Sequence, residues 1–257
     1  MPAVSRPLRL TRRDRLILRF CAEHRFVLAP QVALLLGVIG TDAAKRRLAS
    51  LHRAGYLRRE RRYVAEPYAY AITAGGLGAA GSDLSRPRPI DPATYAHDVG
   101  VAWLAAGAHR GAFGDLSEIV CERRMRSEDA RAGAEEPRHG IRRAGVGGRG
   151  LHHPDLAVVT VTGRRVAFEL ELHLKGAARR ERILAAYACD PRFDAVVYLV
   201  RSEAERQTLL RSARRVGLDD RLHVQRFEWA DRRQPGTSRE RSLARSRPRS
   251  RARSVAR

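Results

Sequence analysis

The sequence predicts an α+β chain in two folded parts followed by a basic tail. Three observations carry that class. Apolar residues recur at three- and four-residue spacing between Thr11 and Gly55, and a hairpin pattern follows them. From Leu156 onward, strand-like and helix-like segments alternate. From Arg232 to Arg257 ten arginines stand with a single acid, Glu240, among serines and prolines, a net of +9 that cannot bury a core and is expected to be disordered.

The N-terminal elements follow from local signals. Thr11 is an N-cap for a helix to about His24, with Leu16, Ile17, Phe20 and Cys21 as its apolar stripe. Pro30 suits the first turn of a second helix that Gly37 ends. Thr41 opens a third, in which Ala44, Leu48 and Leu51 point inward and Lys45, Arg46, His52 and Arg53 largely outward, ending near Gly55. Tyr56-Leu57 then leads into Arg58-Arg59-Glu60-Arg61-Arg62 and Tyr63-Val64, a Glu66-Pro67 turn and Tyr68 to Ile72, a two-stranded hairpin.

Three helices and a basic hairpin in that order predict a winged helix-turn-helix over residues 1–81. Its third helix would enter a major groove with Lys45, Arg46 and Arg53 near phosphates or base edges, while Arg58, Arg59, Arg61 and Arg62 of the wing grip the flanking backbone. Residues 1–81 carry 15 Lys+Arg against 5 Asp+Glu, so the charge for phosphate contacts is present. A small helical domain with a solvated basic face, or a protein-docking winged helix, is the competing reading.

Residues 82–96 include Ser85-Arg86-Pro87-Arg88-Pro89, which resists helix and sheet and reads as a linker. A second domain over 97–231 then opens with a helix from His97 to Arg110 and another around Ser117 to Met125, while residues 126–150 read as a flexible loop. Strands follow at Leu156 to Val161 and Arg165 to Leu174 about a Thr162-Gly163 turn. After them come a helix at Ala177 to Ala188, a strand at Ala195 to Val200, a helix at Glu203 to Val216 and a strand at His223 to Trp229. A mixed sheet flanked by helices is the expected architecture.

The second strand carries the chemistry. Alternation puts Phe168, Leu170, Leu172 and Leu174 on one face and Glu169, Glu171, His173 and Lys175 on the other. With a three-residue loop at Thr162-Gly163-Arg164, Val161 pairs with Arg165 and Asp155 falls opposite Glu171, so three carboxylates converge. A two-residue turn would move Asp155 to the opposite face. Converging carboxylates repel unless a cation neutralises them, and hard oxygen ligands favour Mg²⁺ or Mn²⁺. Lys45 and Lys175 are the only lysines among 50 basic residues, and a compact ammonium on this face suits a metal-bound water.

Other features are read as inert. His152-His153 lacks companions at ligand spacing and is taken as structural. The glycine-rich run from Gly145 to Gly150 lacks the Lys-Ser/Thr ending of a phosphate loop. Cys21, Cys121 and Cys189 are too few and too far apart for a disulfide framework or a zinc knuckle.

A net charge of +22 over 257 residues seeks a polyanion, DNA or RNA before an acidic membrane, because no amphipathic anchor is evident. No run of 18 apolar residues exists and Met1 to Arg9 lacks a signal-peptide core, so a cytoplasmic protein is expected.

Pro154-Asp155, a hairpin, then Glu169-Leu170-Glu171 followed by a helix resembles the PD-(D/E)xK restriction-endonuclease-like fold. That resemblance implies metal binding by Asp155 and Glu169; Glu171 stands where the fold has its lysine, Lys175 is the substitute two positions on along the same face, and Glu122 matches an additional helix acid. The whole order, with Tyr70-Ala71-Ile72-Thr73, Gly76-Leu77, His97-Asp98 and His153-Pro154-Asp155, resembles the replication-relaxation family of actinobacterial plasmids and integrative elements. It implies a DNA-binding protein of plasmid or mobile-element replication or mobilisation, with a relaxase or replication protein as partner and a homodimer compatible with it. An active Mg²⁺-dependent nuclease with metal on Asp155, Glu169 and Glu171, and a winged-helix transcriptional regulator, are the alternatives.

Overall fold

Thr11 starts the first helix as its spacing requires. In the computed structural model, which describes residues 8–38, 40–63, 66–133, 137–142 and 150–227, its side chain accepts from the Asp14 amide, and Asp14 returns the bond to the Thr11 backbone, closing a capping box. Helix α1 (Arg12–Glu23) leads through the short strand β1 (Val27–Leu28) into α2 (Ala29–Leu36), with Pro30 in its first turn and Gly37 in the left-handed region at φ 64° as its cap. Helix α3 (Asp42–Arg53) buries Ala44, Leu48 and Leu51. Strands β2 (Leu57–Glu60) and β3 (Ala69–Ile72) pair antiparallel, and β1 adds to the other edge of β3, giving the order β1-β3-β2. Arg61, Arg62 and Tyr63 lie beyond the end of β2.

Helix α4 (Ala74–Ala80) was hidden by its three glycines, which are poor helix formers. Thr73 caps it, and Gly76 is required there: a Cβ would stand 2.1 Å from the Tyr56 carbonyl oxygen.

Residues 82–96 are not a free spacer. Leu84 and Ile90 are buried, Arg123 donates to the Ser85 carbonyl, and Arg131 pairs with Asp83. Helix α5 (Tyr95–His109) packs on α2 on one side and on the sheet on the other, and one apolar cluster runs from Ile17 and Leu48 through Ala105 to Phe168. The described residues up to Phe227 therefore form one compact unit rather than two tethered ones.

The segment expected as a helix at Ser117 to Met125 is instead strand β4 (Leu116–Cys121) followed by α6 (Glu122–Ala132). Ile119 and Val120 are β-branched and pair against Val158 and Ala157. Helix α6 also claims the first residues of the expected loop. It is held by the i,i+4 pairs Arg124–Glu128 and Arg126–Glu122 and anchored by buried Met125. Strands β5 (Ile141–Arg142) and β6 (Leu151–His152) form a small hairpin. Residues 143–149, with most of the glycine-rich run, and the tail expected from Arg232 to Arg257 lie outside the described residues.

Strands β7 (Leu156–Thr160) and β8 (Arg165–Glu171), helix α7 (Ala177–Cys189), β9 (Ala195–Val200), α8 (Glu203–Val216) and β10 (Leu222–Arg226) follow the expected alternation. The mixed five-stranded sheet runs β10-β9-β8-β7-β4, parallel from β8 to β10 and antiparallel beyond. Val158, Phe168, Leu170 and Leu199 face α5, whereas Ala167, Val196, Tyr198 and Val200 face α7 and α8. With eight helices among the described residues the class is α+β.

Candidate functional site

The register of β7 and β8 decides which acids meet. Thr160 N–H donates to Arg164 O at 2.9 Å and Gly163 N–H to Thr160 O at 2.9 Å, so the loop is Val161-Thr162-Gly163 with Gly163 left-handed at φ 83°. The loop has the expected length but begins one residue earlier, which moves the pairing by two: Leu156 sits opposite Phe168 and Val159 opposite Arg165. One step further along, Asp155 faces Glu169, not Glu171. Because the shift is even, all three acids keep the same parity.

The face they share is not an open hollow. Glu169 and Glu171 are only 3% and 6% exposed, covered from the α7 side. Strand β8 ends at Glu171, so His173 and Lys175 do not continue its row; His173 is exposed, while Lys175 turns back to pair with Glu171.

Each carboxylate is met by a protein donor. Asp155 Oδ2 accepts from the Leu170 amide at 2.7 Å and lies 3.2 Å from His97 Nε2 of α5. Burial disfavours charge on His97, but Asp155 and Asp98 outweigh it and hold the imidazolium pKa at about 10. Glu169 Oε1 lies 2.6 Å from His152 Nε2 and accepts from the Tyr187 hydroxyl. Burial pushes Glu169 up, yet the His152 charge and hydrogen bond, with Lys175 and Tyr187, carry it below the usual carboxylate range. Glu171 moves the other way, raised by burial and by the charges of Glu169 and Asp155 against the pull of Lys175.

Asp155, Glu169 and Glu171 are the hard oxygen donors that a divalent cation would use. As placed they do not converge on one: among the described residues no group of three His, Cys, Asp or Glu side chains is arranged to hold a metal ion. His97 and His152 neutralise the charge that a cation was expected to offset. Glu122, the first residue of α6, lines the same cleft as Asp155, Glu23 and His97, with its carboxylate 2.7 Å from Arg126.

Sequence reasoning missed His97, His152 and Tyr187 as partners of the acids. The consecutive His152 and His153 lack companions at ligand spacing in the sequence, yet each meets a carboxylate, Glu169 for His152 and Asp129 for His153.

Lys45, Arg46 and Arg53 on α3 are exposed, as are Arg58, Arg59, Arg61 and Arg62 in and after β2. Lys45 also bridges to Asp42 at 3.0 Å, an exposed pair that a stronger anion can displace. Arg59 and Arg61 lie over the Tyr68 ring at 4.3 and 5.0 Å from its centroid, so one aromatic ring holds both guanidinium groups. Arg47, in the same basic run, is turned inward onto buried Asp14 and fixes α3 to α1. Among the described residues no helix is long and apolar enough to cross a membrane. No family model, no curated protein and no solved structure matches the chain.

Proposed function

We propose that the chain is a DNA-binding protein whose N-terminal part is a winged helix-turn-helix, acting in plasmid or mobile-element replication or mobilisation. One observation carries the binding: seven cationic side chains, three on α3 and four in and just after β2, are each exposed, while Arg47 ties α3 to α1. The element order α1-β1-α2-α3-β2-β3 with strand order β1-β3-β2 supports the winged-helix reading. The biological setting, with a relaxase or replication protein as partner, rests on the order of motifs in the sequence.

Replacing Lys45, Arg46 and Arg53 together by alanine should weaken duplex binding about 10- to 100-fold near 0.1 M salt and reduce the slope of log K against log salt by about 2 to 3. Gel shifts over a salt series measure both. An unchanged slope would place the phosphate contacts elsewhere.

A Mg²⁺- or Mn²⁺-dependent nuclease is the second reading: Asp155, Glu169, Glu171 and Lys175 stand at one end of the sheet, and a cation there would displace the His97, His152 and Lys175 contacts that hold the acids. Supercoiled plasmid incubated with the protein and Mg²⁺ should then be nicked by the native chain and left intact by Asp155→Ala. Plasmid left intact by both proteins, with a salt-sensitive gel shift, reduces the function to binding.

A further inference from the structure

We propose that the outer surface of α7 and α8 is a second nucleic-acid-binding surface, which takes the phosphate backbone of a second duplex segment so that one chain bridges two segments. The inference rests on the DNA-binding reading of the N-terminal part.

Topology brings the two helices side by side. Strands β8, β9 and β10 are neighbours, parallel and in sequence order, so both crossovers lie on one face of the sheet and run in the same direction. Arg180 Nε donates to Ser212 Oγ at 3.0 Å and Arg215 Nε to Glu181 Oε1 at 3.0 Å, which sets residues 179–182 level with residues 211–215. Ile183, Leu184 and Tyr187 of α7 and Leu209 and Ala213 of α8 point into the core. The helical period therefore turns Arg182 of α7 and Arg211 and Arg214 of α8 away from the core, while Arg179 stands in the first turn of α7, one turn before Ile183; all four are exposed.

Among the described residues none of these four meets a carboxylate; Arg211 reaches only the Thr208 hydroxyl. Four like charges at i,i+3 spacing on adjacent helices repel one another in the free protein. A polyanion relieves that repulsion and gains counterion release, and the planar guanidinium fork suits phosphate oxygens.

Location separates this surface from the first. The α1 to α3 helices reach the sheet through α5, which covers the face of Phe168 and Leu170, while α7 and α8 cover the face of Ala167 and Val196. The two basic surfaces thus belong to opposite sides of the five-stranded sheet, and a duplex seated on α3 leaves the other surface free.

The test is a two-duplex capture with the full chain. A biotinylated duplex on beads is loaded with protein, and a fluorescent duplex of unrelated sequence is then offered near 0.1 M salt. The quadruple variants Arg179→Glu/Arg182→Glu/Arg211→Glu/Arg214→Glu and the milder all-Gln counterpart should each hold the first duplex within about threefold of native and lose at least about tenfold in capture of the second. The all-Gln variant keeps the measurement valid if charge reversal impairs folding. Capture reduced by less than about tenfold, or loss of both duplexes in parallel, overturns the proposal. So does loss of binding to phosphatidylserine vesicles with duplex capture unchanged, which would assign the surface to a membrane. A native chain that holds the first duplex but never the second sinks this inference alone; one that holds neither sinks the DNA-binding reading beneath it.

Discussion

Replacing Asp14 by alanine is expected to destabilise the protein by about 3 to 5 kcal/mol, the usual cost of removing one partner of a buried ion pair. The Asp14 side chain has no exposure and accepts four bonds: two from the Arg47 guanidinium, and one each from the Thr11 amide and hydroxyl at 2.6 Å. Alanine removes the acceptor but leaves Arg47, two-thirds covered, without its counter-charge, and it opens the capping box of α1 at the same time. Because Arg47 belongs to α3, the loss also loosens the helix that presents Lys45, Arg46 and Arg53, so duplex affinity should fall with stability.

The same pair predicts a pH signature. Burial raises the Asp14 pKa, but the bonds from Arg47 and Thr11 outweigh it and hold the group below its ordinary 3.8. A depressed carboxylate contributes stability above its unfolded pKa and loses it as pH falls through the folded value. The gap in unfolding free energy between the native chain and Asp14→Asn should therefore be full at pH 7 and shrink below about pH 4. Denaturant unfolding at several pH values measures it. A deficit for Asp14→Ala under about 1 kcal/mol, or a gap that widens in acid, would contradict the assignment.

What the sequence disclosed, and what it did not, divides along a physical line. Helices α1 and α2 announced themselves because their ends are local chemistry: the Thr11 N-cap and the left-handed Gly37. Helix α6 did not, because a chain of arginines and acids carries little apolar period, and its stability comes from side-chain pairs and one buried methionine. Strand β4 was misread because Leu116 to Cys121 gains its identity from pairing with β7, a partner far along the chain.

The site divides the same way. Period two was enough to put Glu169 and Glu171 on one parity; Asp155 joins them only because the turn has three residues, and its register differs by two from the expected one. Their partners were illegible, since His97 arrives from α5 and the Tyr187 hydroxyl from α7. What stands against the three acids in the structure is His97, His152 and Lys175.

Replacing Asp129 by alanine should cost about 3 kcal/mol and reach that acidic site from behind, through the β5–β6 hairpin. Asp129 is 4% exposed and accepts from the amides of His139 at 3.0 Å and Gly140 at 2.7 Å and from His153 Nε2 at 2.9 Å. Alanine strands three buried donors at once, each a group that pays its full desolvation when unpaired. Burial lowers the His153 pKa against the opposing pull of Asp129, and its Nε2 faces the Asp129 carboxylate. His153 and His152 are consecutive, so the bond that fixes one ring to α6 also presents the other to Glu169. Asp129→Asn, which retains one acceptor oxygen, should recover about half of the loss. Amide exchange at Gly140 reads the hairpin directly: the alanine variant should lose protection there while the β8–β9 amides keep theirs, and retained protection at Gly140 would show that Asp129 does not anchor the hairpin.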